Sequence, residues 1–178
     1  MDYKTITNSL GMSEKLNIID DFLPEDYFLE LQNLMMNNTF PWFRHNGVND
    51  ENDGDRQFTH LFYSKFQVQS SAFEKIAPII NFINPISIIR IKANLLPFTK
   101  EIHEFDYHVD VHQPCITAIL YINTNNGYTK FESGEKIESI ENRFVFFPSY
   151  IRHGGTTCSD QQDRVVINFN YFPMYDLW

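Results

Sequence analysis

Cysteine is nearly missing from this chain: Cys115 and Cys158 are the only two among 178 residues. That is far below the density of a small secreted scaffold stapled by disulfides, so reduced thiols in an intracellular protein are expected. No run of about 20 apolar residues is present to span a bilayer. Met1-Asp2-Tyr3-Lys4 leads into polar sequence without the apolar core of a signal peptide, which makes the cytoplasm the expected location, a host cell's cytoplasm if the protein is viral. Basic charge is also scarce, with 14 Lys and Arg against 23 Asp and Glu and a net charge of −9. An acidic surface repels a phosphate backbone, so nucleic acid is not an expected partner. Internal repeats and low-complexity tracts are missing too, which leaves solenoids and disordered linkers aside.

What is present is apolar and ring-rich. Hydrophobic residues make up 43% and aromatics 16% of the chain, with 17 Phe, and this length suits one domain, residues 1–178, with a real core. Residues 1–15 are polar and aperiodic and read as a loosely held leader. Ile18 to Phe22 suggests a short strand. Pro24 then stands where a helix begins, Glu25 and Asp26 occupy its first turn, and Tyr27, Phe28, Leu31, Leu34 and Met35 recur at helical steps. A second amphipathic helix is expected over Ser71 to Phe82, with Phe73, Ile76, Ala77, Ile80 and Ile83 on one face despite Pro78. Between the helices, residues 46–56 read NGVNDENDGDR, a run too polar to bury and expected as a surface loop, either a lid or a plain connector.

After Pro85 the pattern changes to short β-branched and aromatic runs: Ile86 to Leu96, Ile116 to Asn123, Gly127 to Glu132, Arg143 to Phe147 and Arg164 to Phe172. Strands at this spacing with no helical pattern between them predict an antiparallel sandwich of jelly-roll type. The expected architecture is mainly β with N-terminal helices: residues 1–85 as helical support and loops, residues 86–172 as the jelly-roll core. The terminal Tyr171 to Trp178 is apolar enough to dock on the core or on another subunit.

His108-Val109-Asp110 lies in the β-rich half. On a strand, residues two apart share a face, so His108 and Asp110 can reach one ion, and His153 follows 45 residues after His108. Two imidazoles and a carboxylate are the facial ligand set of non-haem iron(II), which leaves open positions for a bidentate keto acid and dioxygen. Such a centre carries +1, and a 2-oxoglutarate dianion brings it to −1, so one cation is missing. Arg164, 11 residues beyond His153, has the planar fork that matches a carboxylate. Rival ligand sets exist at this point, because His103, Asp106 and His112 flank the triplet and Asp110-Val111-His112 is the same pair in reverse.

Alternation extends the prediction. Arg164, Val166, Asn168 and Asn170 share one face of their strand, and two amides with an arginine do not suit a dry core, where each unpaired polar group costs roughly 1–3 kcal/mol. That face should line a wet cavity. Arg90, Lys92 and Asn94 alternate in the same way with apolar neighbours, and Thr117, Ile119 and Tyr121 oppose Ala118, Leu120 and Ile122.

Taken in order, Arg90-Ile91-Lys92-Ala93-Asn94-Leu95, Tyr107-His108-Val109-Asp110, Ile119-Leu120-Tyr121-Ile122-Asn123, Asn126-Gly127-Tyr128-Thr129, Asn142-Arg143, His153-Gly154-Gly155 and Arg164-Val165-Val166-Ile167-Asn168-Phe169-Asn170 resemble the iron(II)- and 2-oxoglutarate-dependent oxygenases. The likeness is to the compact prolyl-4-hydroxylase-like group found in marine bacteria and phages, and it covers roughly residues 86–172. It implies a double-stranded β-helix, Fe(II) bound by His108, Asp110 and His153, and 2-oxoglutarate held through its C5 carboxylate by Arg164, with Tyr121 and Asn94 near co-substrate or substrate. The chain departs from the family at Val166, where many relatives carry Ser or Thr beside the carboxylate; Thr117, Tyr121 and Lys92 are the candidates to replace that hydroxyl. The resemblance implies a dioxygenase that hydroxylates an unactivated C–H bond of a prolyl, other peptidyl or small-molecule substrate and releases succinate and CO2. The alternatives are a non-catalytic cupin-like binding domain and, less compatible with the charge, a nucleic-acid or nucleotide demethylase.

Overall fold

The structure, a computed structural model, describes residues 16–47 and 56–174. The expected leader, most of the acidic loop and the last four residues therefore lie outside the described residues. Eleven strands and two helices occur within them: β1 (Asn17–Ile19), α1 (Glu25–Met35), β2 (Phe43–Asn46), β3 (Arg56–Ser64), β4 (Gln67–Val68), α2 (Phe73–Ile83), β5 (Pro85–Pro97), β6 (Ile116–Tyr121), β7 (Tyr128–Phe131), β8 (Lys136–Glu138), β9 (Phe144–Pro148), β10 (His153–Gly154) and β11 (Asp163–Pro173). All their pairings are antiparallel. One large sheet runs β1-β9-β6-β11-β5-β3-β2 with β4 on β3, and a small sheet runs β10-β7-β8.

Local chemistry accounts for both helices. Pro24 precedes α1 with an extended ψ of 135°, and Glu25 and Asp26 in the first turn complement its unpaired N–H groups. Phe28, Leu31 and Met35 are its buried stripe. In α2 the buried residues are Ile76, Ile79 and Ile83, so the stripe is centred on Ile79 and not between Ala77 and Ile80. Pro78 is accommodated inside this helix, which closes at Asn84 in the left-handed region with its N–H bonded to Ile80 O at 2.8 Å. Asparagine tolerates that conformation at a helix end better than most residues.

Both stripes pack on one face of the large sheet. The main core joins α1 and α2 to Ile91, Ala93, Ala118, Leu120, Val165, Ile167, Phe169 and Tyr171. Each of these strand residues has the parity assigned to the dry face. The opposite face meets the small sheet across a second cluster that includes Ile119, Tyr121, Phe131, Phe147 and Val166. This is a jelly roll: two sheets, one backed by helices, with an opening between them. Among the described residues no helix is long and apolar enough to cross a membrane.

The first 85 residues hold more β structure than their pattern predicts. β2 and β3 form a hairpin in which Asn46 faces Arg56, and β3 extends the large sheet by pairing with β5. Polar letters hid β3, because Gln57 and His60 are buried within it. His60 is satisfied there, its Nδ1 lying 2.7 Å from Pro41 O and its Nε2 2.8 Å from Ser70 Oγ, and a satisfied buried polar group costs little. At the other end of the chain, Tyr171 to Pro173 continue β11 into the sheet.

Candidate metal centre and anion pocket

His108 and His153 meet through the backbone. They form an isolated antiparallel bridge, with His108 N–H donating to His153 O at 2.9 Å and His153 N–H donating to His108 O at 3.0 Å. The imidazoles stand side by side, their centroids 4.9 Å apart. Asp110, two residues on, returns to the same side, and the donor atoms of His108, Asp110 and His153 all lie within 4.8 Å of one another. The rivals do not join them: His103, Asp106 and His112 are exposed, and among the described residues this is the one group of three with metal-ligand spacing.

Each imidazole is oriented from behind. Nδ1 of His108 lies 3.3 Å from Asp106 O, and Nδ1 of His153 lies 3.2 Å from Ile151 O. An N–H at Nδ1 donating to a carbonyl leaves Nε2 as a lone pair, the tautomer a metal ligand needs. Burial pushes the His153 pKa down, which keeps the ring neutral. Its Nε2 is buried, has no hydrogen-bond partner and lies 3.8 Å from Asp110 Oδ2. Burial alone would raise the Asp110 pKa, but Arg90 at 2.8 Å, with the histidines and Lys92 behind it, holds the carboxyl down to about 2. Arg90 and Asn170 face each other across β5 and β11, Arg90 Nε donates to Asn170 Oδ1 at 3.2 Å, and Asn170 Nδ2 donates to Thr117 Oγ1 at 3.1 Å. The support of the aspartate was not deduced from the sequence, although the shared parity of Arg90 and Asn170 carried the signal.

The same cavity runs from this triad to Arg164, with Lys92, Asn94, Val166 and Asn168 along its wall. Arg164 is 2% exposed. Its Nε donates to Ser139 Oγ at 2.8 Å and its Nη2 to Thr129 Oγ1 at 3.2 Å, and its guanidinium lies 5.6 Å from the Tyr121 ring centroid. It pairs with no carboxylate among the described residues. Burial lowers its pKa, yet a guanidinium stays protonated, so this is a buried cation on the wall of the cavity. Asn94 Oδ1 and Asn168 Oδ1 are also buried without partners, as expected for groups that face a ligand or water.

Five of the seven residues singled out from the sequence line this cavity: His108, Asp110, His153, Arg164 and Asn94. Tyr121 and Thr117 do not. Tyr121 backs the guanidinium and donates its hydroxyl to Thr129 at 2.7 Å, while Thr117 supports Asn170. Hydroxyls of Thr129, Ser139 and Tyr121 therefore all meet Arg164, and of these Thr129, on a strand of the small sheet, is the one that lines the cavity. Thr129 and Ser139 escaped the sequence reading because no spacing links them to Arg164.

Gly127 makes room for the arginine. A Cβ there would lie 2.6 Å from Arg164 Cδ and 2.7 Å from Thr157 O, whereas at Gly155 the nearest atom would be Arg164 Nη1 at 3.6 Å. Gly127→Ala is expected to cost about 1–3 kcal/mol by overpacking and Gly155→Ala close to nothing. Thermal melts of the two variants compare them directly; equal melting temperatures would sink this account.

No family model matches the chain, and no curated protein matches it in sequence. Solved structures do match in fold. An oxidoreductase of the 2OG-Fe(II) oxygenase family from Burkholderia pseudomallei superposes with a TM-score of 0.72 at 10% identity, covering 98% of this chain and 92% of its own. A Trichoplax adhaerens prolyl hydroxylase in complex with a hypoxia-inducible-factor peptide fragment gives 0.69 at 16%, covering 96% and 89%. A Pseudomonas putida prolyl-4-hydroxylase gives 0.67 at 13%, covering 96% and 98%. The chain thus has the jelly-roll fold of the 2OG-Fe(II) oxygenases, over nearly its whole length.

Proposed function

We propose that the protein is an iron(II)- and 2-oxoglutarate-dependent dioxygenase, with His108, Asp110 and His153 as iron ligands and Arg164 as the anchor of the C5 carboxylate. One observation carries this reading: a single cavity has three metal-ligand donors at one end and, at the other, a buried arginine that no carboxylate of the described residues pairs with. The donors suit the ion. Two neutral imidazoles and one carboxylate are the ligand set of non-haem Fe(II), and the buried lone pair of His153 Nε2 is an acceptor that only a cation or a donor would satisfy. Arg164 supplies the positive charge that balances a dianionic keto acid, and Thr129 adds a hydroxyl beside it.

When bound, the iron and keto acid supply the oxidative chemistry, in which dioxygen is consumed, 2-oxoglutarate becomes succinate and CO2, and a substrate C–H bond is hydroxylated. The chain's own work is placement. The His108–His153 bridge fixes the angle between two ligands, Arg90 and Asn170 keep Asp110 ionised and aimed, and Ile119, Val166 and Leu96 make the cavity wall apolar between its charged ends. A prolyl or other peptidyl substrate is the favoured class, because two solved structures of this fold are prolyl hydroxylases and one holds a peptide.

Succinate formation from 2-oxoglutarate with Fe(II), ascorbate and dioxygen tests the activity, and a keto-acid-dependent absorption band of the anaerobic iron protein tests the centre. Neither signal in folded protein would overturn the proposal. Arg90→Met is expected to weaken Fe(II) binding about 10- to 100-fold, the usual effect of removing a group that orients a ligand; unchanged retention of iron after dialysis would argue against that role.

A further inference from the structure

A second cation lines the cavity, and its charge helps to keep Asp110 ionised without pairing with it. Lys92 stands on the cavity face of β5 between Arg90 and Asn94, opposite Asn168 of β11. It makes no hydrogen bond or ion pair among the described residues, and it is partly buried. An ammonium withdrawn from water without an anion is costly, so such a group in a cavity marks the position of a negative ligand. On β5 Lys92 is two residues from Arg90, which holds Asp110, and four from Leu96, the partner of Arg164, so its strand position is nearer the triad end. Asp110 does not satisfy it, since that carboxylate is committed to Arg90 at 2.8 Å.

The register gives the scale. Arg164 pairs with Leu96, four residues along β5 from Lys92, which separates the two backbones by roughly 13 Å at about 3.3 Å per residue. That is a distance between backbones, and the charged ends of two such long side chains can close on a five-carbon diacid between them. A carboxylate that gives one oxygen to a metal keeps the other as a free acceptor. The amides of Asn94 and Asn168 line the interval between the cations.

We propose that Lys92 is a second carboxylate-binding group of this cavity, holding the carboxylate next to the keto group at the metal end while Arg164 holds the distal one. The proposal rests on the reading of the site as a metal and keto-acid cavity. Two cations at opposite ends would select diacids of one length and reject keto acids with a single carboxylate. In a chain of net charge −9, this inward concentration of positive charge would draw a small dianion into an otherwise repelling surface.

The test is calorimetry on the full chain loaded with Mn2+, with three ligands: 2-oxoglutarate, 2-oxopentanoate, which lacks the distal carboxylate, and 4-oxopentanoate, which has a methyl where the keto-side carboxylate would be. Weak ligands are measured by displacement of 2-oxoglutarate. Lys92→Met is expected to weaken the first two by about 10- to 100-fold, the range for a hydrogen bond to a charged group, to leave 4-oxopentanoate affinity unchanged and to keep Mn2+ bound. Unchanged 2-oxoglutarate affinity would assign Lys92 to another ligand and overturn the proposal. Equal weakening of all three ligands would also overturn it, as a general effect on the fold. Wild-type protein that bound Mn2+ but none of the three would instead overturn the underlying keto-acid reading.

Discussion

Alanine in place of His153 is expected to leave a folded chain that no longer retains a divalent metal. The ring is almost wholly buried, its Nε2 has no hydrogen-bond partner among the described residues, and His108 and Asp110 converge on the same point. Loss of an orienting neighbour costs about 10- to 100-fold in metal affinity, so loss of the ligand itself should exceed that. Some stability is lost as well, since the ring packs against Phe147 and Phe131 with centroids at 4.8 and 6.2 Å, but the cores on the two faces of the large sheet remain. Metal content after dialysis, read beside far-UV circular dichroism, separates the two effects. A matched His112→Ala or His103→Ala variant should keep its metal, since both rings are exposed and outside the group. If either of these lost the metal while His153→Ala kept it, the proposed ligand set would be wrong.

Arg164→Met is expected to do the reverse: to keep the metal and lose the co-substrate. Methionine fills a similar volume without the charge, and the 2-oxoglutarate affinity should fall by on the order of 1.5–3 kcal/mol, the worth of a hydrogen bond to a charged group. The ligand-free protein should not suffer. Arg164 is a buried cation held by the neutral hydroxyls of Ser139, Thr129 and Tyr121, and replacing a buried charge with an apolar side chain is often neutral or stabilising. Thermal melts with and without 2-oxoglutarate report both quantities, because a ligand at 100 times its Kd stabilises by about 2.7 kcal/mol. A wild-type response to 2-oxoglutarate in Arg164→Met would remove the arginine from the site.

Much of the site is legible in the sequence, for a physical reason visible in β11. Arg164, Val166 and Asn168 line the cavity while Val165, Ile167 and Phe169 enter the core, because side chains on a strand alternate faces whatever the strand pairs with. The same rule placed Lys92 and Asn94 with the cavity, and Ala118 and Leu120 with the core. It failed over β3, where Gln57 and His60 are buried among partners supplied by distant loops, so the apolar alternation that marks a strand was interrupted.

The sequence by itself determined the strand faces after Pro85, the stripe of α1 and the set of residues able to bind a metal and an anion, since these follow from side-chain chemistry and from periods of two and 3.6 residues. Tertiary structure decided which of them meet. Only the pairing of His108 with His153 across 45 residues excluded His103 and His112 from the group. Only the packing of the small sheet on the large one put Thr129 and Ser139 against Arg164. Only the β5–β11 register set Arg90 over Asn170 beneath Asp110 and left Lys92 without an anion. Alternation is local and is written into each strand, whereas these meetings depend on hydrogen-bond registers between segments that no short-range rule connects.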